Sequence, residues 1–141
     1  VLNIVLTGLM GIFDFTIMGA TQMRFSVFMI FIFLVTETLV MYFFITTGKS
    51  LKLAIESGLG SEILWIREKK LKMQLFPQLM LTILFFSIWF ILWGAVDNEH
   101  YFSILHSPLF YFAMIHHLWT LVIKNRSFAE QINIISELDN V

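Results

Sequence analysis

The chain has 141 residues, of which 58% are apolar and only 13% are charged, and its mean hydropathy is +0.83. A soluble domain is about 45–50% apolar and about 25% charged, so this composition argues against a water-soluble domain and indicates an integral membrane protein. The net charge of −1 excludes a broad cationic surface for nucleic acid, and the lack of cysteine excludes disulfides, iron–sulfur clusters and thiolate metal sites.

Four apolar stretches follow one another along the chain, at residues 1–20, 25–46, 75–96 and 103–123. A helix of about 20 residues crosses a hydrocarbon core of about 30 Å. The sequence therefore predicts an all-α integral membrane protein with one transmembrane domain, 1–141. We expect its four transmembrane helices to form an antiparallel bundle.

The connections between these stretches differ in length and polarity. Residues 21–24 predict a tight turn between the first two helices. Residues 47–74 predict a cytoplasmic loop of two short helices, interrupted at Gly58 and Gly60, with Ser61 as the cap of the second. In the tail at 124–141, the Ser127-Phe128-Ala129-Glu130 pattern predicts a further short amphipathic helix.

The orientation in the membrane follows from the basic residues. Eight of the nine Lys and Arg residues lie in the 47–74 loop or the tail, and Arg24 alone lies on the other side. Cytoplasmic segments carry the excess of Lys and Arg. We therefore expect both termini to be cytoplasmic, in a bacterial-type inner membrane.

Asp14 is an acid inside the first apolar stretch, where it shares a helical arc with Thr7 and Gly11 and lies near Gly8 and Gly19. Small residues let membrane helices approach closely. The arc is expected to pack on another helix. Asp14 is expected to be a protonated or hydrogen-bonded structural group rather than a catalytic one.

Glu37, His116 and His117 form the predicted buried polar cluster. Counted from the outer surface, Glu37 lies about 18 Å deep and His116 about 20 Å deep at helical rise. An intramembrane acid normally has a partner because an isolated charge there is costly. The sequence predicts a hydrogen bond from Glu37 to His116 or His117, with a structural role or, alternatively, a contact with a proton, quinone or cofactor.

Cofactor motifs are weak. The intramembrane histidines all lie on the fourth stretch, so haem or quinone is expected only if it is shared with a partner subunit, and none from this chain alone. Consecutive histidines point in different directions on a helix, which does not favour a metal site. The letters Gly48-Lys49-Ser50 follow a helix and lack the earlier glycine of a phosphate-binding loop.

Lys69, Lys70 and Lys72 predict contact with lipid headgroups or docking of a cytoplasmic partner.

With no catalytic constellation evident, the favoured function is a small non-catalytic accessory subunit of a larger membrane complex. Expected partners are the lipid bilayer and other membrane subunits or further copies of the chain, and no nucleic acid. The alternatives are a redox membrane anchor in electron transport, and a proton-linked transporter or channel component.

Overall fold

The structure, a computed structural model, describes residues 1–98 and 101–139 and is all-helical. Part of the predicted outer connection at 97–100 lies outside the described residues. The end of the tail, at 140–141, lies wholly outside them. The helices in chain order are α1 (Leu2–Phe13), α2 (Gln22–Glu56), α3 (Glu62–Ile91), α4 (Trp93–Asp97), a 3-10 helix (Tyr101–Leu105) and α5 (His106–Asp139).

The chain divides into two compact units. Unit 1 consists of Val1–Thr36 and Leu81–His117, and unit 2 consists of Glu37–Met80 and Leu118–Val141. Three helices, α2, α3 and α5, contribute to both units. The prediction of one transmembrane domain stays a prediction.

The first helix is shorter than expected. Helix α1 has 12 residues, which reach about 18 Å, so the predicted helix over residues 1–20 is wrong in its length. Asp14 caps α1 in a left-handed conformation, with φ 48° and ψ 46°, which aspartate tolerates better than most residues. A turn follows in which Ile17 and Ala20 exchange two backbone hydrogen bonds, of 3.2 and 2.9 Å.

The long helices extend further than the sequence predicts. Helices α2, α3 and α5 have 35, 30 and 34 residues, or about 52, 45 and 51 Å. Of the described helices, α2 and α3 are long and apolar enough to cross a membrane. The predicted short helices in the 47–74 loop and the tail are continuations of α2, α3 and α5, so the separate tail helix is wrong.

Two sequence signals for helix boundaries are confirmed. Gly58 and Gly60 adopt φ 88° and 86° between α2 and α3, and Ser61 Oγ accepts a hydrogen bond of 3.3 Å from the Ile63 amide. Ser127, in contrast, is a buried residue inside α5. Its capping pattern does not start a helix because α5 continues through it without a break.

Each unit has its own apolar core. The unit 1 core comprises Ile4, Met29, Ile30, Phe33, Phe86, Trp89, Phe110 and Ala113. Unit 2 has one cluster of Leu51, Leu64, Leu71 and Ile134 and another of Phe44, Leu75 and Leu79. Along α5 in unit 2, buried positions recur at spacings of three and four residues, which is the spacing of helix bundles: Thr120, Lys124, Ser127, Gln131 and Ile134.

Candidate functional site: a buried polar interior and an aromatic cavity

Glu37 forms a buried ion pair in unit 2. Lys124 Nζ donates to Glu37 Oε1 over 2.7 Å, and only 1% of Glu37 and 6% of Lys124 are exposed. The sequence pattern had indicated a cytoplasmic tail for Lys124. The heptad spacing from His117 to Lys124 is the signal that could have placed this lysine on the buried face of α5.

A second buried charge lies further along unit 2. Glu68 is fully buried on α3, and its Oε1 lies 3.1 Å from Lys72 Nζ one helical turn later. Lys72 also lies 5.6 Å above the Trp65 ring. Lys72 is therefore turned towards Glu68 and is half-buried, whereas Lys69 and Lys70 are exposed. The predicted contact of these lysines with lipid headgroups or a partner stays a prediction.

Gly48 makes room for this second pair. A side chain at Gly48 would meet Lys72 Nζ and lie 2.7 Å from Glu68 Oε1. Gly48 is buried, and it continues α2 without a left-handed backbone. Its role is close approach between α2 and α3, which accounts for a glycine in the Gly48-Lys49-Ser50 sequence without a phosphate.

Arg67 connects α3 to α5 at the surface of unit 2. Its guanidinium donates to Glu130 Oε1 over 2.6 and 2.9 Å and to the Glu137 carboxylate over 2.7 and 2.8 Å. Hydrogen bonds from Arg67 to Glu137, and then to Glu130, hold the pKa of Arg67 above its usual value. Glu130 and Glu137 lie on one face of α5 because two helical turns separate them.

The two consecutive histidines occupy different surroundings in unit 1. His116 Nδ1 lies 2.8 Å from the hydroxyl oxygen of Thr82, and its ring packs edge-on against Phe85. His117 is 4% exposed and packs against Phe33 and Phe86, with ring centroids 5.4 and 6.1 Å away. The predicted hydrogen bond from Glu37 to either histidine stays a prediction.

Asp14 lies differently from its prediction. It is exposed at the end of α1, as is Gly11, whereas Thr7 and Gly8 are buried. A side chain at Gly8 would lie 2.8 Å from Phe110 Cε1, so Gly8 permits α1 to pack on α5. The packed arc therefore includes Thr7, Gly8 and Gly11, since a side chain at Gly11 would meet Gln22 Nε2. The expectation that the arc also includes Asp14 is wrong because α1 ends before it.

Unit 1 also contains a cavity of about 260 Å³ between α1, α2, α3, α4 and α5. Glycines, aromatic rings and a few polar groups line it: Gly8, Gly11, Gln22, Trp89, Trp93, Val96, His106, Ser107, Phe110 and Tyr111. The His106 ring centroid lies 5.3 Å from that of Trp89 and 4.5 Å from that of Trp93. We call this space the aromatic cavity.

Three lining side chains of the aromatic cavity carry unsatisfied nitrogens. Trp89 Nε1, Trp93 Nε1 and His106 Nε2 are buried and have no hydrogen-bond partner among the described residues. Trp93 lies near the end of the third apolar stretch, a position that is typical of an interfacial aromatic belt. The sequence pattern indicates no role for His106. The seventeen-residue separation of Trp89 and His106 crosses a chain reversal, so no local sequence pattern reveals their contact.

The described residues contain no group of three or more His, Cys, Asp or Glu that could hold a metal ion. The charged and polar residues instead make pairs, as in Glu37–Lys124 and Thr82–His116. Comparison with known proteins gives no further assignment, because no family model, curated protein or solved structure matches the chain.

Proposed function

We propose that the chain is a small accessory subunit of a membrane complex, inserted in a bilayer through its long helices, with the basic 47–74 segment and the tail on the cytoplasmic side. The distribution of polar and apolar side chains supports the membrane setting. Glu37 is buried on α2, whereas Leu39 and Tyr42 on the same helix are 61% and 64% exposed. A helix in water has the opposite arrangement, since exposed apolar surface is unfavourable there.

The Glu37–Lys124 ion pair is the observation that carries the structural role. It joins α2 to α5, and the acid and the base neutralise one another at 2.7 Å. Paired ionisable groups inside membrane bundles fix which helices meet, because each is expensive to bury alone. A group whose charge is matched within the bundle is suited to holding the fold rather than to reacting with a substrate.

The exposed apolar faces support association with other subunits. Phe31 and Ile115 are 64% and 65% exposed, and Ile91 is 73% exposed. Lipid covers such surfaces in a bilayer, and close packing lets partner helices replace the lipid. Partner binding through these exposed apolar faces is therefore the form of association that we propose.

A native-gel experiment tests this proposal. Membranes from cells that express the tagged chain are solubilised in mild detergent, and the chain is expected in a band far above 16.5 kDa. Phe31→Ala and Ile115→Ala should weaken that band while leaving the amount of protein unchanged. Lys49→Ala, an exposed charge outside these faces, is the matched control. A stable 16.5 kDa monomer with full biological activity would contradict the proposal.

A further inference from the structure

The aromatic cavity has the size and walls of a small-molecule site. Its volume of about 260 Å³ exceeds the roughly 150 Å³ of an engineered cavity that binds benzene, so a single substituted ring fits. Gly8 and Gly11 carry no side chains that would fill it. The rings of Trp89 and Phe110 pack against each other at a tilt of 52°, with centroids 4.8 Å apart, and add aromatic surface to the lining.

The polar groups in these walls are suited to a ligand that accepts hydrogen bonds. An indole N–H can only donate, and the indole nitrogens of Trp89 and Trp93 have no partner among the described residues. His106 Nε2 is also buried and has no hydrogen-bond partner among the described residues. Buried polar groups are nearly always satisfied. Three such nitrogens belong to side chains that line one cavity, and a ligand that accepts hydrogen bonds would satisfy them.

The charge of the lining indicates a neutral ligand. The described lining residues include no Lys, Arg, Asp or Glu, so neither an anion nor a cation finds an opposite charge. A carbonyl oxygen accepts from an indole N–H without bringing a charge into the cavity. The aromatic rings of the lining favour a carbonyl that is attached to a planar ring.

We propose that the aromatic cavity binds a neutral carbonyl compound with a planar ring, of the quinone type. Trp89 and Trp93 donate to a carbonyl oxygen and His106 completes the polar edge, while Phe110 contacts the ring. The proposal concerns binding only and is independent of the accessory role. The ester carbonyl of a phospholipid offers the same acceptor chemistry, so the experiment separates these two sources.

Tryptophan fluorescence provides the readout. The chain has four tryptophans, and Trp65→Phe together with Trp119→Phe leaves Trp89 and Trp93 as the reporters. This variant is placed in nanodiscs of diester phosphatidylcholine or of diether phosphatidylcholine, and decylubiquinone is titrated. Binding in the cavity gives saturable quenching, whereas collisions in the bilayer give quenching that rises linearly with quinone concentration.

Three variants in this background locate the site. His106→Leu and Trp93→Phe are expected to raise the apparent Kd about tenfold, because each removes one polar partner of the ligand. Tyr101→Phe, at an exposed position outside the lining, should leave the Kd unchanged. Far-ultraviolet circular dichroism checks that each variant keeps its helices, and Trp93→Phe serves if His106→Leu does not fold.

The outcomes identify the ligand or overturn the proposal. The same Kd in both lipids supports a quinone as the occupant. A Kd several-fold lower in diether nanodiscs supports a lipid ester carbonyl as the competing occupant of the same site. Linear quenching that is identical in all variants and both lipids overturns the proposal. The native-gel result does not affect this outcome, so the two proposals fail separately.

Discussion

The Lys124 ammonium lies 2.7 Å from the Glu37 carboxylate, although 87 residues separate them in sequence and both are buried. Bringing two charges out of water is expensive, and their attraction offsets that expense only when both are present. The pair therefore adds little stability compared with two apolar side chains of similar volume. Losing one member is a different matter, since the other charge then stays buried without it.

Replacing Lys124 alone should destabilise the protein strongly. We expect Lys124→Met to lower the free energy of unfolding by about 3–5 kcal/mol, the usual effect of breaking a buried pair. The double variant Glu37→Met/Lys124→Met should recover most of that loss. Thermal unfolding in detergent, followed by circular dichroism, measures both. Asn125→Ala, at an exposed neighbour, is the control, and a double variant no more stable than Lys124→Met would refute the expectation.

Gly48 should tolerate no side chain while Lys72 and Glu68 keep their positions. A glycine-to-alanine change inside a helix normally stabilises by about 0.5–1 kcal/mol. At Gly48 we expect the opposite sign, a loss of about 1–2 kcal/mol, because the new methyl group displaces the Lys72–Glu68 pair. Ser50→Ala on the exposed side of α2 is the control. A Gly48→Ala variant that is more stable than the wild type would show that the pair moves freely.

The Arg67 network should depend on salt and on the shape of the guanidinium. Arg67→Lys keeps the charge but loses the fork that reaches Glu130 and Glu137 together, so the melting temperature should fall. The difference in melting temperature between the wild type and Arg67→Lys should shrink between 50 and 500 mM salt, about the range over which screening of exposed charges becomes strong. Lys52→Arg is the control. An equal difference at both salt concentrations would argue against an electrostatic origin.

The sign of the pH dependence follows from the raised pKa of Arg67. A base whose folded-state pKa is raised stabilises the protein at all pH values below its ordinary pKa and loses that contribution as the pH rises through the folded-state pKa. The Arg67 contribution should thus be constant across neutral pH and disappear only under strongly alkaline conditions. Melting curves of the wild type and Arg67→Gln, compared from pH 6 to pH 9, measure this.

The proposed topology is accessible to cysteine labelling, because the chain has no cysteine. Met18 in the first turn and Ser57 between α2 and α3 are both exposed. In intact cells, a membrane-impermeant maleimide should label Met18→Cys from outside and label Ser57→Cys only after the inner membrane is opened. Reversed labelling would contradict the orientation, and labelling of both sites from outside would contradict the crossing of α2.

Composition and local patterns predict the helical fold but not the lengths of its helices. The apolar stretches locate α2 and α3, and Gly58 and Gly60 locate the break between them. The end of α1 before Asp14 has no clear sequence signal, because the apolar stretch that contains α1 continues beyond Asp14 to Ala20. The charged residues after Ile45 are typical of a loop, although they continue α2 with buried positions at bundle spacing, such as Gly48 and Leu51.

The site depends on tertiary contacts that a single sequence does not reveal. The position of Glu37 within the second apolar stretch predicts a buried acid with a partner, and the structure buries Glu37 beside Lys124. The sequence prediction assigns Lys124 to the cytoplasmic tail because basic residues near the end of a membrane helix usually face the cytoplasm. That assignment gives no reason to pair Lys124 with Glu37. Likewise, the contact of Trp89 with His106 joins two helices whose relative position follows from packing in unit 1.

The distance in sequence between Glu37 and Lys124 has a consequence for biosynthesis. At about 5–20 residues per second, the 87 residues that separate them take roughly 4 to 17 s to synthesise. During that interval the ribosome has made the acid but not the lysine. In the proposed bilayer setting, α2 is therefore made before α5, and the arrival of Lys124 completes the ion pair.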